Sequence, residues 1–297
     1  MKKMRIPLLV AWGLAIIGII FGSLFDFRIS SAIASPSNAY GLLLSAIIPT
    51  IGFAGVAIVG GGFIALAIKG KYHIALKILF FVLAALCLAV AVHYPAGEYF
   101  GVNGFYNPKL KYAGYLITIL PEIGAMIGGY FLFRDCQNKR MWIIFLIIIV
   151  LLLIALLGVI PGLKGTMHRP RYRLVETGKV AFHDWWKPCK NYATLIKELG
   201  PSSDNFKSYP SGHTAEACIL LVPITFLPLA HEKYERWQPM LHILGCLLVI
   251  LVAFARILAA AHYLSDVSTG ATIMLTLLLI ANEIVVRIKP LHNQSAA

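Results

Sequence analysis

The stretch MWIIFLIIIVLLLIALLGVIPGL, residues 141–163, contains no charged side chain and runs straight into Lys164. As a helix it would rise about 35 Å, enough to cross a hydrocarbon core of roughly 30 Å. Lipid offers no partner for open backbone groups, so such a run must be helical. Working outward, apolar runs of similar length recur at roughly 6–25, 42–68, 74–93, 112–133, 213–230, 239–261 and 265–286. The composition agrees: 59% of the 297 residues are hydrophobic and 13% charged, and the mean hydropathy is +0.79. That excludes a soluble domain and predicts an all-α, polytopic transmembrane helix bundle of about eight spans.

The first run follows Met1-Lys-Lys-Met-Arg5 and resembles a signal peptide, but it is long for one. No small-x-small cleavage site precedes Asp26, so it reads as a retained anchor helix. The net charge of +13 sits in loops between apolar runs. It suits membrane orientation and anionic headgroups, and no nucleic-acid partner is expected. The five cysteines are scattered and form no disulfide or zinc pattern.

Three polar segments interrupt the apolar chain. They are Lys164-Gly-Thr-Met-His-Arg-Pro-Arg171, then Pro210-Ser211-Gly212-His213, then Arg256 followed by His262 and Asp266. Cations that balance phosphate oxygens, a Ser-Gly turn, two imidazoles and a carboxylate are what metal-free phosphoryl transfer needs. One imidazole can attack phosphorus while the other protonates the leaving oxygen. Asp266 is the only carboxylate in these motifs, and no Asp or Glu cluster beside them could hold a hard dication. No metal or other cofactor is expected.

In order and spacing these segments resemble the type-2 phosphatidic acid phosphatase superfamily, which includes membrane lipid phosphatases of the phosphatidylglycerophosphatase B and undecaprenyl-diphosphatase kinds. That pattern is Lys-x6-Arg-Pro, then Pro-Ser-Gly-His, then Ser-Arg-x5-His-x3-Asp. Tyr172 stands here in place of the usual proline and Ala255 in place of the usual serine. Arg169-Pro170 is a second reading of the Arg-Pro pair, but six intervening residues favour Arg171. The resemblance covers residues 164–286. It implies His262 as nucleophile, His213 as general acid, Asp266 as the residue orienting His262, and Lys164, Arg171, Ser211, Gly212 and Arg256 as phosphate contacts. It also implies a division into four N-terminal spans (1–140) and a catalytic core (141–297) with a long loop at 164–212.

The implied function is metal-independent hydrolysis of a membrane lipid phosphate or diphosphate through a phosphohistidine. Substrates of the phosphatidic acid, phosphatidylglycerol phosphate or undecaprenyl diphosphate class would come from the bilayer. Alternatives are a lipid-to-lipid phosphotransferase and a non-catalytic lipid-phosphate transporter.

Taken alone, Ser211 is an ordinary N-cap, Lys164 a snorkelling lysine and His262–Asp266 a helix cap. Arg256 inside an apolar run is harder to explain that way. Trp185 and Trp186 read as interfacial anchors. Glu122, mid-span, reads as a hydrogen-bonding partner for another helix.

Orientation follows from the cations. With the N-terminus inside, the cytoplasmic segments hold Lys2, Lys3, Arg5, Lys69, Lys71, Arg134, Lys139, Arg140, Lys233, Arg236, Arg287 and Lys289, twelve in all. The short outer loops hold three: Arg28, Lys109 and Lys111. This places all three motifs on the extracytoplasmic side. The basic segment 164–210 disagrees and is discounted because some of its cations have catalytic assignments.

Overall fold

A computed structural model describes residues 5–98, 108–136 and 141–287, and every regular element among them is helical. The orienting residues Lys2, Lys3, Lys139, Arg140 and Lys289 lie outside the described residues. In chain order come α1 (Arg5–Ile33), α2 (Ala39–Lys69), α3 (Ile74–Glu98), α4 (Pro108–Phe133) and α5 (Met141–Leu153). After a π-helical segment, Ile154–Val159, come α6 (Ile160–Met167), α7 (Tyr172–Val175), α8 (Tyr192–Leu199), α9 (Gly212–Ala217), α10 (Leu221–Phe226), α11 (Gln238–Leu258) and α12 (Leu264–Arg287). Among the described residues, 8 helical stretches are long and apolar enough to cross a membrane.

Helix α2 is the axis of the bundle. It packs on α3 and α4 on one side and on α9 and α11 on the other. Lipid gives little hydrophobic drive for helices to associate, so small residues that let backbones approach set the contacts. A Cβ on Gly61 would lie 1.9 Å from the Met126 carbonyl oxygen of α4, and one on Gly52 would lie 2.5 Å from the Glu216 carbonyl oxygen of α9. The glycines of α2 therefore mark close packing. Helix α1 packs on α12 and α11.

Three spans depart from simple helices, each for a local reason. The fifth widens to a π segment just before Pro161, which has no N–H to continue the ladder. The sixth is broken into α9, α10 and 3-10 turns at 218–220 and 227–229 around Pro223 and Pro228. The seventh, expected to reach residue 261, stops at Leu258, and Ala260 takes a positive φ of 54°. Arg256 therefore sits in the last turn of α11 instead of its interior. Glu122 is fully buried in α4, and neither carboxyl oxygen has a hydrogen-bond partner among the described residues. Among the described residues the expected interhelical hydrogen bond is not made.

Candidate active site

Helix α6 carries Lys164 and ends at His168, whose positive φ of 45° turns the chain out of the helix. The loop that follows is tied down by arginines. Arg171 donates from Nε to the Asp204 carbonyl oxygen at 2.9 Å and from Nη2 to Asp204 Oδ1 at 3.0 Å. Arg173 donates to Asp204 Oδ2 and Asn205 Oδ1. The Ser208 amide donates to the Arg169 carbonyl oxygen, so the strand of loop leading to Pro210 runs beside the Arg169–Arg171 segment.

The Pro-Ser-Gly-His turn then docks on α12. The Ser211 amide donates to the Asp266 carbonyl oxygen at 3.0 Å. A Cβ on Gly270 would meet the Ser211 carbonyl oxygen at 2.3 Å, so glycine there permits the approach. Ser211 caps α9, its Oγ accepting from the Thr214 amide and hydroxyl. The hydroxyl's own proton is left for another acceptor. Gly212 faces Lys164, with Nζ 3.4 Å from where a glycine-to-alanine Cβ would stand.

His262 lies in the short link between α11 and α12 and is 1% exposed. Its Nδ1 is 2.6 Å from the Ser208 carbonyl oxygen. A carbonyl only accepts, so Nδ1 carries the proton. That fixes the tautomer in which Nε2 holds the lone pair, and Nε2 has no hydrogen-bond partner among the described residues. Burial pushes the imidazole pKa well below its usual value, and the charges of Arg171, Arg256, Lys164 and His213 push it further. The ring is therefore neutral near pH 7, with an open lone pair among three cations and a second imidazole. The structure brings Lys164, Arg171, His213 and Arg256 around His262. His213 and Arg256 are themselves buried.

Asp266 differs from the expectation. It lies 3.9 Å from His262 Nδ1, and the Ser208 carbonyl takes the orienting position. A spacing of four puts two side chains on one face only within a helix, but α12 begins only at Leu264, so His262 stands before the helix. Asp266 instead accepts from the Tyr263 amide at 2.9 Å, the Ser208 hydroxyl at 2.5 Å and Arg169 Nη1 at 2.5 Å. The start of α12 is occupied by carboxylates: the Ser265 amide donates to Asp26 Oδ1 and the Tyr263 amide to Asp266 Oδ2.

Sequence reasoning missed Asp26, which no motif marks. Its only signal is a carboxylate near the end of an otherwise apolar anchor run. It also missed Glu216, one turn into α9, whose carboxylate acts on Lys164. Trp185 is half-buried, donating to Ser23 Oγ of α1 at 2.8 Å and stacking on Tyr209. Trp186 remains exposed at 46%.

A cavity of about 410 Å3 opens on Lys164 and Gly212; Lys207 and Glu216 line it on the polar side and Tyr94, Leu156 and Ile160 on the apolar side. A larger apolar cavity of about 560 Å3 borders Thr214 and α11 and includes none of the phosphate-contact candidates. Among the described residues, no three His, Cys, Asp or Glu side chains gather as a metal-ligand set.

The family model described as the PAP2 superfamily matches residues 141–289, half of the chain. No curated protein and no solved structure matches. The chain belongs to the PAP2 superfamily, whose members are generally phosphatases acting on phosphate esters.

Proposed function

We propose that this member of the PAP2 superfamily hydrolyses a membrane lipid phosphate or diphosphate through a phosphohistidine on His262. The observation that carries the reading is the buried, neutral imidazole whose Nδ1 is held at 2.6 Å by the Ser208 carbonyl and whose Nε2 is open. Nε2 attacks phosphorus as the bond from phosphorus to the leaving oxygen breaks. His213, protonated, gives its proton to that oxygen. Water then attacks the phosphohistidine and passes a proton to His213. The P–N bond breaks, its electron pair returns to Nε2, and phosphate leaves. Lys164, Arg171 and Arg256 balance the charge on the equatorial oxygens, with Ser211 and the Gly212 amide as further donors. Asp266 acts at one remove from the ring, through Ser208 and Tyr263.

The cavity beside Lys164, charged at Lys164, Lys207 and Glu216 and otherwise mostly apolar, supports a lipid substrate. A phosphate headgroup would meet Lys164 and Gly212 while the first part of its chain lies along Tyr94, Leu156 and Ile160. The cation count favours an extracytoplasmic site. Lys187 and Asp135, with side chains 66% and 70% exposed, report on opposite ends of the bundle. In a cysteine-free background, K187C should react with an impermeant thiol reagent on intact cells and D135C should not. The reverse pattern would invert the orientation.

The activity test is release of free phosphate from a panel of lipid phosphates in detergent, without an acceptor alcohol. The wild type should release it and His262→Ala should not. Release only when a lipid alcohol is added would make the protein a phosphotransferase. Equal turnover by the variant would remove His262 as nucleophile.

A further inference from the structure

Four buried side chains tie α1 to the link that carries His262. Arg169, 1% exposed, donates from Nη2 to Asp26 Oδ2 at 2.9 Å and from Nη1 to Asp266 Oδ1 at 2.5 Å and to Ser265 Oγ at 2.8 Å. Its Nε donates to the His183 carbonyl oxygen at 2.8 Å, so every nitrogen of the guanidinium is engaged. Its planar face lies over the Tyr263 ring, 4.2 Å from the centroid. Asp26 accepts from the Ser265 amide at 2.9 Å and also from the Ser265 hydroxyl. Glycine at position 22 makes room for this, because a Cβ there would lie 2.5 Å from the Ser265 amide nitrogen and 2.8 Å from Asp26 Oδ1. Helix α1 lies outside residues 141–289, the part of the chain the family model matches.

A buried cation between two carboxylates is costly unless each group is satisfied. Such an arrangement persists where geometry has to be fixed. What it fixes here is Asp266. One of its oxygens is drawn to Arg169 and the other is taken by Ser208 and Tyr263, so the carboxylate stands 3.9 Å from His262 Nδ1. The ring is left to the neutral Ser208 carbonyl.

We propose that Asp26 and Arg169 are positioning residues for the nucleophile: they hold Asp266 off His262, so that a carbonyl and not a carboxylate orients the ring. This rests on the reading of His262 as nucleophile. Among the described residues, the groups that act on or face His262 include Arg171 beside α7, Arg256 on α11, Lys164 on α6, His213 on α9 and Asp266 on α12. Asp266 is the anion among them, and Arg169 holds its Oδ1. With Arg169 neutral, the carboxylate has about an ångström to travel before it hydrogen-bonds Nδ1. An ionised partner there favours the imidazolium, so more of the enzyme is protonated and non-nucleophilic at a given pH. Phosphate binding, carried by other cations, is left alone.

The test compares wild type, Arg169→Gln, Asp26→Asn and Arg169→Lys in detergent with one lipid phosphate. It reads kcat, KM, inhibition by vanadate, and the acid limb of kcat/KM against pH. Arg169→Gln should lower kcat roughly tenfold or more and move the acid limb to higher pH, with KM and vanadate affinity within about threefold of wild type. Arg169→Lys should recover part of the kcat. Asp26→Asn keeps an acceptor for Ser265, so it tests the same chain of contacts if Arg169→Gln does not fold. It should lower kcat with unchanged KM. Variants with wild-type kcat and acid limb would overturn the proposal. So would losses of kcat, KM and vanadate affinity in step with an unmoved acid limb, which would make the cluster structural only. His262→Ala in the same assay separates the two claims. If it is inactive while Asp26→Asn and Arg169→Gln behave as wild type, only the positioning role fails. If His262→Ala turns over normally, the nucleophile assignment fails first.

Discussion

Two regions of this chain are built on opposite principles. The bundle of α2, α3 and α4 is apolar apart from buried Glu122, Thr118 and Thr50, and backbone approach at glycines such as Gly61 and Gly129 holds it together. The site end, where α1, α6, α9, α11 and α12 converge, is held by charges and hydrogen bonds: the buried Arg169 with Asp26 and Asp266, Arg171 with the exposed Asp204, and Ser208 with Asp266. In the first region geometry follows from the absence of side chains. In the second it follows from their chemistry. The difference teaches where a substitution should cost stability and where it should cost turnover.

The largest effect expected is on chemistry without stability. His262→Ala should lower turnover roughly 10⁴-fold or more, because a nucleophile has no substitute in a two-step transfer. Its thermal midpoint in detergent should stay near wild type. A large fall in that midpoint would blur the contrast between the regions.

The converse is Gly61→Val. Its first added carbon would stand 1.9 Å from the Met126 carbonyl oxygen, and backbone cannot yield as a side-chain tip can. Overpacking of this kind costs roughly 1–3 kcal/mol. The unfolding midpoint should drop, while the enzyme that remains folded keeps its KM. A selective loss of kcat with an unchanged midpoint would mean that the bundle takes part in catalysis.

A smaller effect concerns pH. Burial and the surrounding cations push His262 down from the usual imidazole value of 6.5. In the free enzyme the ring is neutral above its lowered pKa, so nucleophile activity persists below pH 6.5 and is lost as pH falls through that lower value. The acid limb of kcat/KM, corrected for ionisation of the substrate phosphate, should lie below 6.5. The linkage to stability has the same direction. Above 6.5 neither folded nor unfolded His262 is protonated and nothing is lost. Below 6.5 the unfolded chain takes up a proton that the folded site refuses, and stability falls. An acid limb above 6.5 would show that a carboxylate, and not a carbonyl, governs the ring.

The smallest effect expected is none. EDTA should leave activity intact, since Lys164, Arg171 and Arg256 already supply positive charge. Loss with chelator and recovery with Mg2+ would transfer that role to a metal.

Much of the first region was legible in the sequence, because hydropathy over some twenty residues reports a span whatever its neighbours do. The motif residues were legible through the order and spacing of three polar segments, which resemble a known family's pattern. Of them Arg256 also drew notice by position, inside an apolar run where a charge is costly.

What sequence could not supply was partnership across long separations. Asp26 lies 239 positions from Ser265 and 143 from Arg169 along the chain. No local pattern connects them. The Asp266 assignment shows the other limit. A spacing of four implies a shared face only inside a helix, and the break at Leu258 with the restart at Leu264 put His262 outside one. Ser208, whose carbonyl holds the ring, belongs to no motif because any residue supplies a carbonyl.

The most direct test of the central claim is rapid acid-free quenching of the wild-type enzyme with a lipid substrate labelled in its phosphate, followed by mapping of the labelled peptide. The account predicts a base-stable, acid-labile phosphoryl group on Nε2 of His262, absent from His262→Ala and accumulating in His213→Ala with a good leaving group. Label on another residue, or full turnover with no covalent phosphoenzyme, would contradict it.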